Sequence, residues 1–311
     1  MRTDTLKKRT GLLAAVLLLA TSVAGQDSNR NYVLTRTLTS TNLGSAIESI
    51  AYADGLGRPA QEVQKGATPA GQDLVTLHAY DGYGREQRLW LPVPMAGSGG
   101  FRTGNAISSA ARSFYNDIRP YTEYGYEASP VQRRISEQGP GEAWEGKAVT
   151  TAYSANGAAG ACPRYRLSGG TPVYAGDYED GTLLVTATTD EDGRTTHEFK
   201  NGKGLTVMVR QTDGTVIHDT RYVYDARDNL CCVLPPEVSV SPSEDELEKY
   251  AFLYTYNGRN LCTEYKLPGC GAVYVCYDEA DRPVLQQDGM LRAQGKWAFT
   301  FYDAQGRVTV E

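Results

Sequence analysis

An all-β fold, built of antiparallel hairpin repeats in a twisted, spiralling sheet, is what this sequence predicts. Three observations lead there. A short phrase keeps returning: aromatic, Asp or Asn, two loose positions, Gly, Arg. Tyr outnumbers Phe 21 to 6, and an apolar ring with a polar tip suits a half-buried pleated surface. Helical periodicity is nearly absent, while Gly and Asp punctuate short aromatic and β-branched runs.

The elements follow in chain order. Arg2, Lys7, Lys8 and Arg9 precede nine apolar residues, Leu12 to Ala20, and Ser22-Val23-Ala24 supplies small residues beyond them. This is the pattern of a signal peptide over residues 1–24, too short to span a bilayer. Cleavage is expected after Ala24, and no Cys follows to carry a lipid anchor. Asn31 to Leu38 and Ile47 to Tyr52 read as strands. Ala60 to Gln64 returns from the first turn, and Leu74 to Tyr80 and Glu86 to Leu91 form the next hairpin. Pro92 and Pro94 end it, since Pro cannot donate to a ladder.

Residues 95–170 read as a loop-rich insertion with a short helix at Ala106 to Tyr115. From Leu183 the hairpin rhythm returns. Asn201-Gly202 and Asp213-Gly214 are tight-hairpin signals. Ser241-Pro242-Ser243-Glu244 starts an acidic helix over residues 243–250, with Pro in the first turn and a Ser-x-x-Glu capping box. Tyr254/Tyr256, Val275/Tyr277 and Trp297/Phe299/Phe301 then alternate towards the last turns.

The phrase reads Tyr80-Asp81-Gly82-Tyr83-Gly84-Arg85 and Tyr302-Asp303-Ala304-Gln305-Gly306-Arg307. Tyr256-Asn257-Gly258-Arg259 looks like a contracted copy. Looser copies begin at Tyr52, at Tyr224-Asp225 and at Tyr277-Asp278, the last closing on Arg282. Tyr224, Tyr256, Tyr277 and Tyr302 lie 32, 21 and 25 residues apart. The chemistry is that of a turn. Asp accepts from backbone N–H groups two residues on. Gly supplies the positive φ that closes the bend, and Arg starts the return strand within reach of the Asp. A single hairpin is unstable alone and must stack on the next.

The remaining composition narrows the function. Without residues 1–24 the chain carries 27 basic and 36 acidic residues, a net −9, which argues against binding a phosphate backbone. No further run is apolar enough for a membrane helix. Cys162, Cys231, Cys232, Cys262, Cys270 and Cys276 lack metal-type spacing. Buried thiols are the stronger reading, with Cys262–Cys276 the first pair to consider if export brings disulfides. His78, His197 and His218 stand apart from any nucleophile motif. Asp190-Glu191-Asp192-Gly193 is half a calcium loop and reads better as a solvated turn. Neither catalytic residues, metal ligands nor a cofactor are expected. Trp297 alternates with Phe299 and Phe301 and is assigned to the core, whereas Trp144, in a Gly/Pro-rich loop, is the contact candidate.

Tyr222-Val223-Tyr224-Asp225, Leu234-Pro235-Pro236, Leu267-Pro268-Gly269 and Tyr277 to Leu285 resemble bacterial YD-repeat proteins of the Rhs family. The earlier half looks like the uncharacterised domain that precedes such repeats in some exported members. The resemblance implies residues 25–180 as that N-terminal β domain and residues 181–311 as an incomplete YD-repeat sheet. It implies a non-catalytic exported scaffold, the N-terminal part of a shell that encloses or presents a C-terminal cargo. Partners would be further YD repeats or that cargo, and the compartment periplasm, cell surface or medium. Self-cleavage and toxin activity are not implied, because no counterpart of those segments is present. The alternative is a surface module binding glycans through exposed aromatics. If the chain stops at Glu311, an unpaired edge is expected over residues 297–311.

Overall fold

The computed structural model describes residues 30–39, 46–157 and 159–310. The expected signal peptide lies outside the described residues. The architecture is almost wholly antiparallel β, as expected, and divides between Ala148 and Val149 into two compact units.

The first unit contains β1 (Tyr32–Leu38), β2 (Ala46–Ala53), β3 (Pro59–Gln64), β4 (Asp73–Tyr80), β5 (Glu86–Trp90), β6 (Val93–Met95), β7 (Tyr121–Tyr126) and β8 (Arg134–Gln138). β1 to β4 pair in sequence. β4 then splits its free edge: Asp73 to Val75 pair with β6, and His78 to Tyr80 with β5. β5 continues to β7, and β7 to β8. The stretch from residue 95 is therefore not all insertion. The loop and helix α1 (Gly104–Tyr115) interrupt the sheet, and β7 and β8 rejoin it. α1 starts two residues earlier than expected, because the Thr103 hydroxyl caps the Ala106 N–H. Its buried Ile107 and Ala111 close a core with Ile50, Tyr52, Val63, Val75, Trp90, Val93 and Tyr121.

Polar side chains pin the loop before α1. Buried Asp73 accepts the Gly99 and Gly66 N–H groups, at 2.7 and 3.0 Å. Tyr52 donates to the Gly99 carbonyl at 2.7 Å, and Gln61 accepts the Arg102 N–H at 2.9 Å.

The second unit runs β9 (Ala148–Ala155), β10 (Pro163–Ser168), β11 (Thr171–Asp177), β12 (Leu184–Thr189), β13 (Thr195–Lys200), β14 (Thr206–Asp213), β15 (Val216–Tyr224) and β16 (Leu230–Leu234). It continues with β17 (Phe252–Tyr256), β18 (Cys262–Lys266), β19 (Val273–Tyr277), β20 (Pro283–Gln287), β21 (Ala298–Phe299), β22 (Phe301–Tyr302) and β23 (Val308–Val310). β9 pairs with β12, and β12 to β21 then form one meander. β10–β11 and β22–β23 are separate hairpins.

Two cores lie in this unit. One gathers Cys162, Leu183, Val185, Phe199, Val207 and Met208. The other gathers Val223, Cys232, Leu234, Val238, Leu247 and Ala251. Leu247 belongs to α2 (Glu244–Tyr250), whose capping box joins Ser243 and Glu246, with Pro242 before the cap rather than in the first turn. A short α3 (Gly289–Ala293) follows β20. Beyond Ala251 no apolar residue is buried among the described residues. Trp297, Phe299 and Phe301 are exposed, not core, because nothing described covers their face. The six cysteines are free thiols, Cys262 half-buried and Cys276 exposed, so the Cys262–Cys276 pairing is not made.

Buried Arg221 holds the second core together. It donates to the carbonyls of Pro235, Val238 and Ser239 and to the Tyr165 hydroxyl, with no carboxylate partner among the described residues. Its removal strands the buried Val238 carbonyl and three part-buried acceptors, so Arg221→Ala should destabilise the fold by about 3 kcal/mol. Urea unfolding followed by circular dichroism checks this, and an unchanged midpoint would refute the pin.

Candidate functional site

The recurring phrase folds into one turn, and the turns form linked columns. With the Asp or Asn numbered position 0, its Oδ1 accepts the N–H groups of positions +2 and +4. For Asp81 these come from Tyr83 at 2.9 Å and Arg85 at 3.0 Å. Asp54, Asp190, Asn201, Asp225, Asn257, Asp278 and Asp303 repeat the pair. The backbone closes the same way, position 0 donating to the +4 carbonyl and +3 to the 0 carbonyl. Position +3 has positive φ, filled by Gly57, Gly84, Gly193, Gly204 and Gly306, or by Asp228, Asn260 and Asp281. Asn and Asp are the non-glycine residues that best tolerate that region. The geometry is a tight turn followed by a one-residue bulge, and register shifts fall at most of these turns.

This corrects two readings of the sequence. Asn201-Gly202 is not a two-residue hairpin: Asn201 is position 0 and Gly204 supplies the positive φ. Tyr256-Asn257-Gly258-Arg259 is not contracted. Asn260 fills +3 and Leu261 fills +4, so Gly258 and Arg259 are tip residues. A further copy escaped notice at Tyr126-Glu127. Its loop is longer, and Glu127 takes the Asp role, holding Arg133 Nε at 3.0 Å and the Arg133 N–H at 3.3 Å. The carboxylate one methylene longer was the available signal.

At +4, Arg58, Arg85, Arg282 and Arg307 clamp the other carboxylate oxygen through Nε, at 2.8, 2.8, 2.8 and 2.6 Å. These bonds, with the backbone N–H groups, hold the carboxyls of Asp54, Asp278 and Asp303 below the usual range. For Asp81 and Asp225 burial pulls the other way, and the turn's hydrogen bonds outweigh it. The Arg133 clamp takes Glu127 down to about 2.

The aromatic at −1 joins one turn to the next. Its hydroxyl donates to the +5 carbonyl of the preceding turn. The six pairs are Tyr80–Pro59 at 2.7 Å, Tyr126–Glu86 at 2.8 Å, Tyr224–Thr206 at 2.9 Å, Tyr256–Leu230 at 3.0 Å, Tyr277–Cys262 at 2.8 Å and Tyr302–Pro283 at 2.9 Å. Burial raises the hydroxyl pKa of Tyr80, Tyr126, Tyr224, Tyr256 and Tyr277, keeping each a donor. Arginines add a second link: Arg58 reaches the Gly84 carbonyl at 2.8 Å, Arg227 the Gly258 carbonyl at 3.1 Å and Arg259 the Asp278 carbonyl at 3.1 Å.

The other candidates are placed as follows. Trp144 sits exposed in a 3-10 turn with the Lys147 ammonium 5.8 Å from its ring. Asp190 gives Oδ1 to the Asp192 and Arg194 N–H groups, which serves a turn. His78 Nδ1 lies 2.5 Å from the Glu86 carboxylate. Tyr165, Tyr178, Lys203, Tyr222 and Asp228 line a shallow polar cleft in the second unit, where Lys203 pairs with Asp228 at 2.7 Å. No helix among the described residues is long and apolar enough to cross a membrane.

Comparison with known proteins finds similarity in sequence over part of the chain and in fold over most of it. A family model described as a domain of unknown function, DUF6443, matches residues 27–156. Curated proteins give no match. The crystal structure of TcdB2-TccC3 without its hypervariable C-terminal region is similar at TM-score 0.56 and 15% identity, over 89% of this chain and 13% of that one. TcdB2-TccC3-Cdc42 and the Photorhabdus luminescens Tc holotoxin pore give 0.55 and 0.54, at the same identity and coverage. At this identity the likeness is one of fold, and this chain spans 13% of those chains' length.

Two predictions test the column. Tyr277→Phe leaves the Cys262 carbonyl without its donor and should cost about 1 kcal/mol in urea unfolding. Ala280→Ser, at a tip, should stay within about 0.5 kcal/mol. Equal effects would contradict the latch. Acid sensitivity follows from the carboxylates. A carboxyl depressed on folding stabilises fully above its unfolded value and loses that contribution as pH falls through its folded one. For Glu127 the window runs from 4.5 to about 2. The melting temperature should therefore hold from neutral pH to about 5 and fall below it, less steeply in Glu127→Gln. A melting temperature indifferent to pH across that window would refute the assignment.

Proposed function

We propose that this chain is a non-catalytic, exported scaffold, the N-terminal part of an Rhs/YD-repeat-type shell that encloses or presents a C-terminal cargo. The observation that carries the reading is the Tyr-to-carbonyl latch made six times between successive turns. Such a rule adds hairpins one at a time and builds a wall rather than a pocket. The turn carboxylates are engaged by backbone and Arg donors, which leaves them poor candidates for acid–base work. Likeness of fold to the TcdB2-TccC3 structures supports a shell. The basic and apolar stretch at residues 2–20 supports export.

Electron microscopy of the complete natural gene product, purified from periplasm or medium, tests this. A curved β wall around an internal volume is expected, together with an N-terminus at Gly25. A solid globular particle, or a product retained in the cytoplasm with residues 1–24 intact, would overturn it.

A further inference from the structure

The sheet of the second unit has a gap between β14 and β15. Their ladder runs from Asp213 opposite Val216 to Met208 opposite Arg221 and stops there. The next link is the Tyr224 hydroxyl on the Thr206 carbonyl, at 2.9 Å. Tyr165 on β10 and Tyr178 just past β11 border the gap and make it a cleft of about 190 Å³. A cavity of about 150 Å³ takes a benzene ring, so this one has room for a single six-membered ring. Its lining is equipped for hydrogen bonding. Tyr178 and Tyr222 are half-buried in it, and neither hydroxyl has a hydrogen-bond partner among the described residues. Burial raises the Tyr178 hydroxyl pKa, so it keeps its proton and can donate. Asn201 gives its side-chain oxygen to the Lys203 and Leu205 N–H groups, which leaves the amide N–H groups without a partner among the described residues. Tyr165 is held in place, its hydroxyl accepting from Arg221 and donating to the Val240 carbonyl at 3.0 Å each, and supplies a fixed apolar ring.

We propose that this cleft is a binding site for one neutral hexopyranose unit. Charge selects against ions. Lys203 is already paired with Asp228 at 2.7 Å, and Asp225 accepts three donors of its own turn. An anion would meet both carboxylates, and a cation would meet the Lys203 ammonium. A purely apolar ring would strand the Tyr178 and Tyr222 hydroxyls away from water. Sugar hydroxyls both donate and accept, which matches those two phenols, and the Asn201 amide adds a donor. The C–H face of the sugar lies against the Tyr165 ring. A concave site with an aromatic wall and a few convergent polar groups is the usual form of a small-molecule pocket. The site is separate from the shell reading and does not depend on it.

Saturation-transfer difference NMR on the full chain tests it. The probes are D-glucose, D-galactose, D-mannose and N-acetyl-D-glucosamine, with D-glucuronate and cyclohexanol as controls. At least one neutral sugar should bind saturably at millimolar concentration. Tyr178→Phe and Tyr222→Phe should each weaken that sugar about three- to tenfold, the loss of one hydrogen bond. The circular dichroism spectrum should stay unchanged in both, because neither hydroxyl is bonded within the fold. Tyr83→Phe, at an exposed turn tip in the first unit, should leave the affinity as it was.

No saturable binding by any of the four sugars overturns the proposal. So does binding that neither Phe variant weakens, glucuronate binding more tightly than every neutral sugar, or cyclohexanol matching them. The shell reading is decided by the enclosed volume of the complete product, and none of these titrations alters it.

Discussion

One carboxylate or amide oxygen, accepting two backbone N–H groups within five residues, is the constraint the rest depends on. A chain reversing direction after a strand exposes donors with no ladder partner. Position 0 satisfies two of them and fixes the bend. The bend then dictates positive φ at +3, and hence Gly, Asn or Asp there. It also dictates the bulge that sets position +5 across from the −1 Tyr, as in the Tyr277–Pro283 and Tyr80–Glu86 pairs. Only with that register does a carbonyl lie where the next hydroxyl reaches it. Local turn chemistry therefore positions long-range contacts such as Tyr126 to Glu86.

The two units use this constraint differently. In the first, a helix and a pinned loop close a core against the sheet, and Tyr52 lies fully inside. In the second, apolar burial among the described residues ends at Ala251 and the sheet continues with half-buried tyrosines. There the hydroxyl latches and Arg links carry cohesion that side-chain packing supplies elsewhere. Each neutral hydrogen bond contributes only about 1 kcal/mol, so the stretch gains its order from repetition rather than from any one contact.

Much of this was legible in the sequence. The phrase from Tyr80 to Arg85 states every position of the turn, and both predicted helices form. What sequence could not show has physical reasons. Asn257 was misread because Gly258 and Arg259 mimic the closing pair one step early, while Asn260 and Leu261 do that work. Glu127 was missed because its longer side chain spans a longer loop. Arg221 looks like a surface strand residue, yet its partners lie at Tyr165 and Pro235 to Ser239, joined only by the fold. Phe299 and Phe301 carry a core pattern, but alternation marks a face and not what lies against it.

Position +2 contributes its N–H to the lock in every turn, while what its side chain does differs from turn to turn. It is Leu56, Tyr83, Asp192, Lys203, Arg227, Arg259, Ala280 and Gln305 in successive turns. Aliphatic, aromatic, cationic and amide groups all fit, since none alters the bend. These tips form a rank of interchangeable studs on a fixed frame. Surface character can drift there, from apolar at Leu56 and Tyr83 in the first unit to mostly charged or polar in the second, with the bend beneath unchanged.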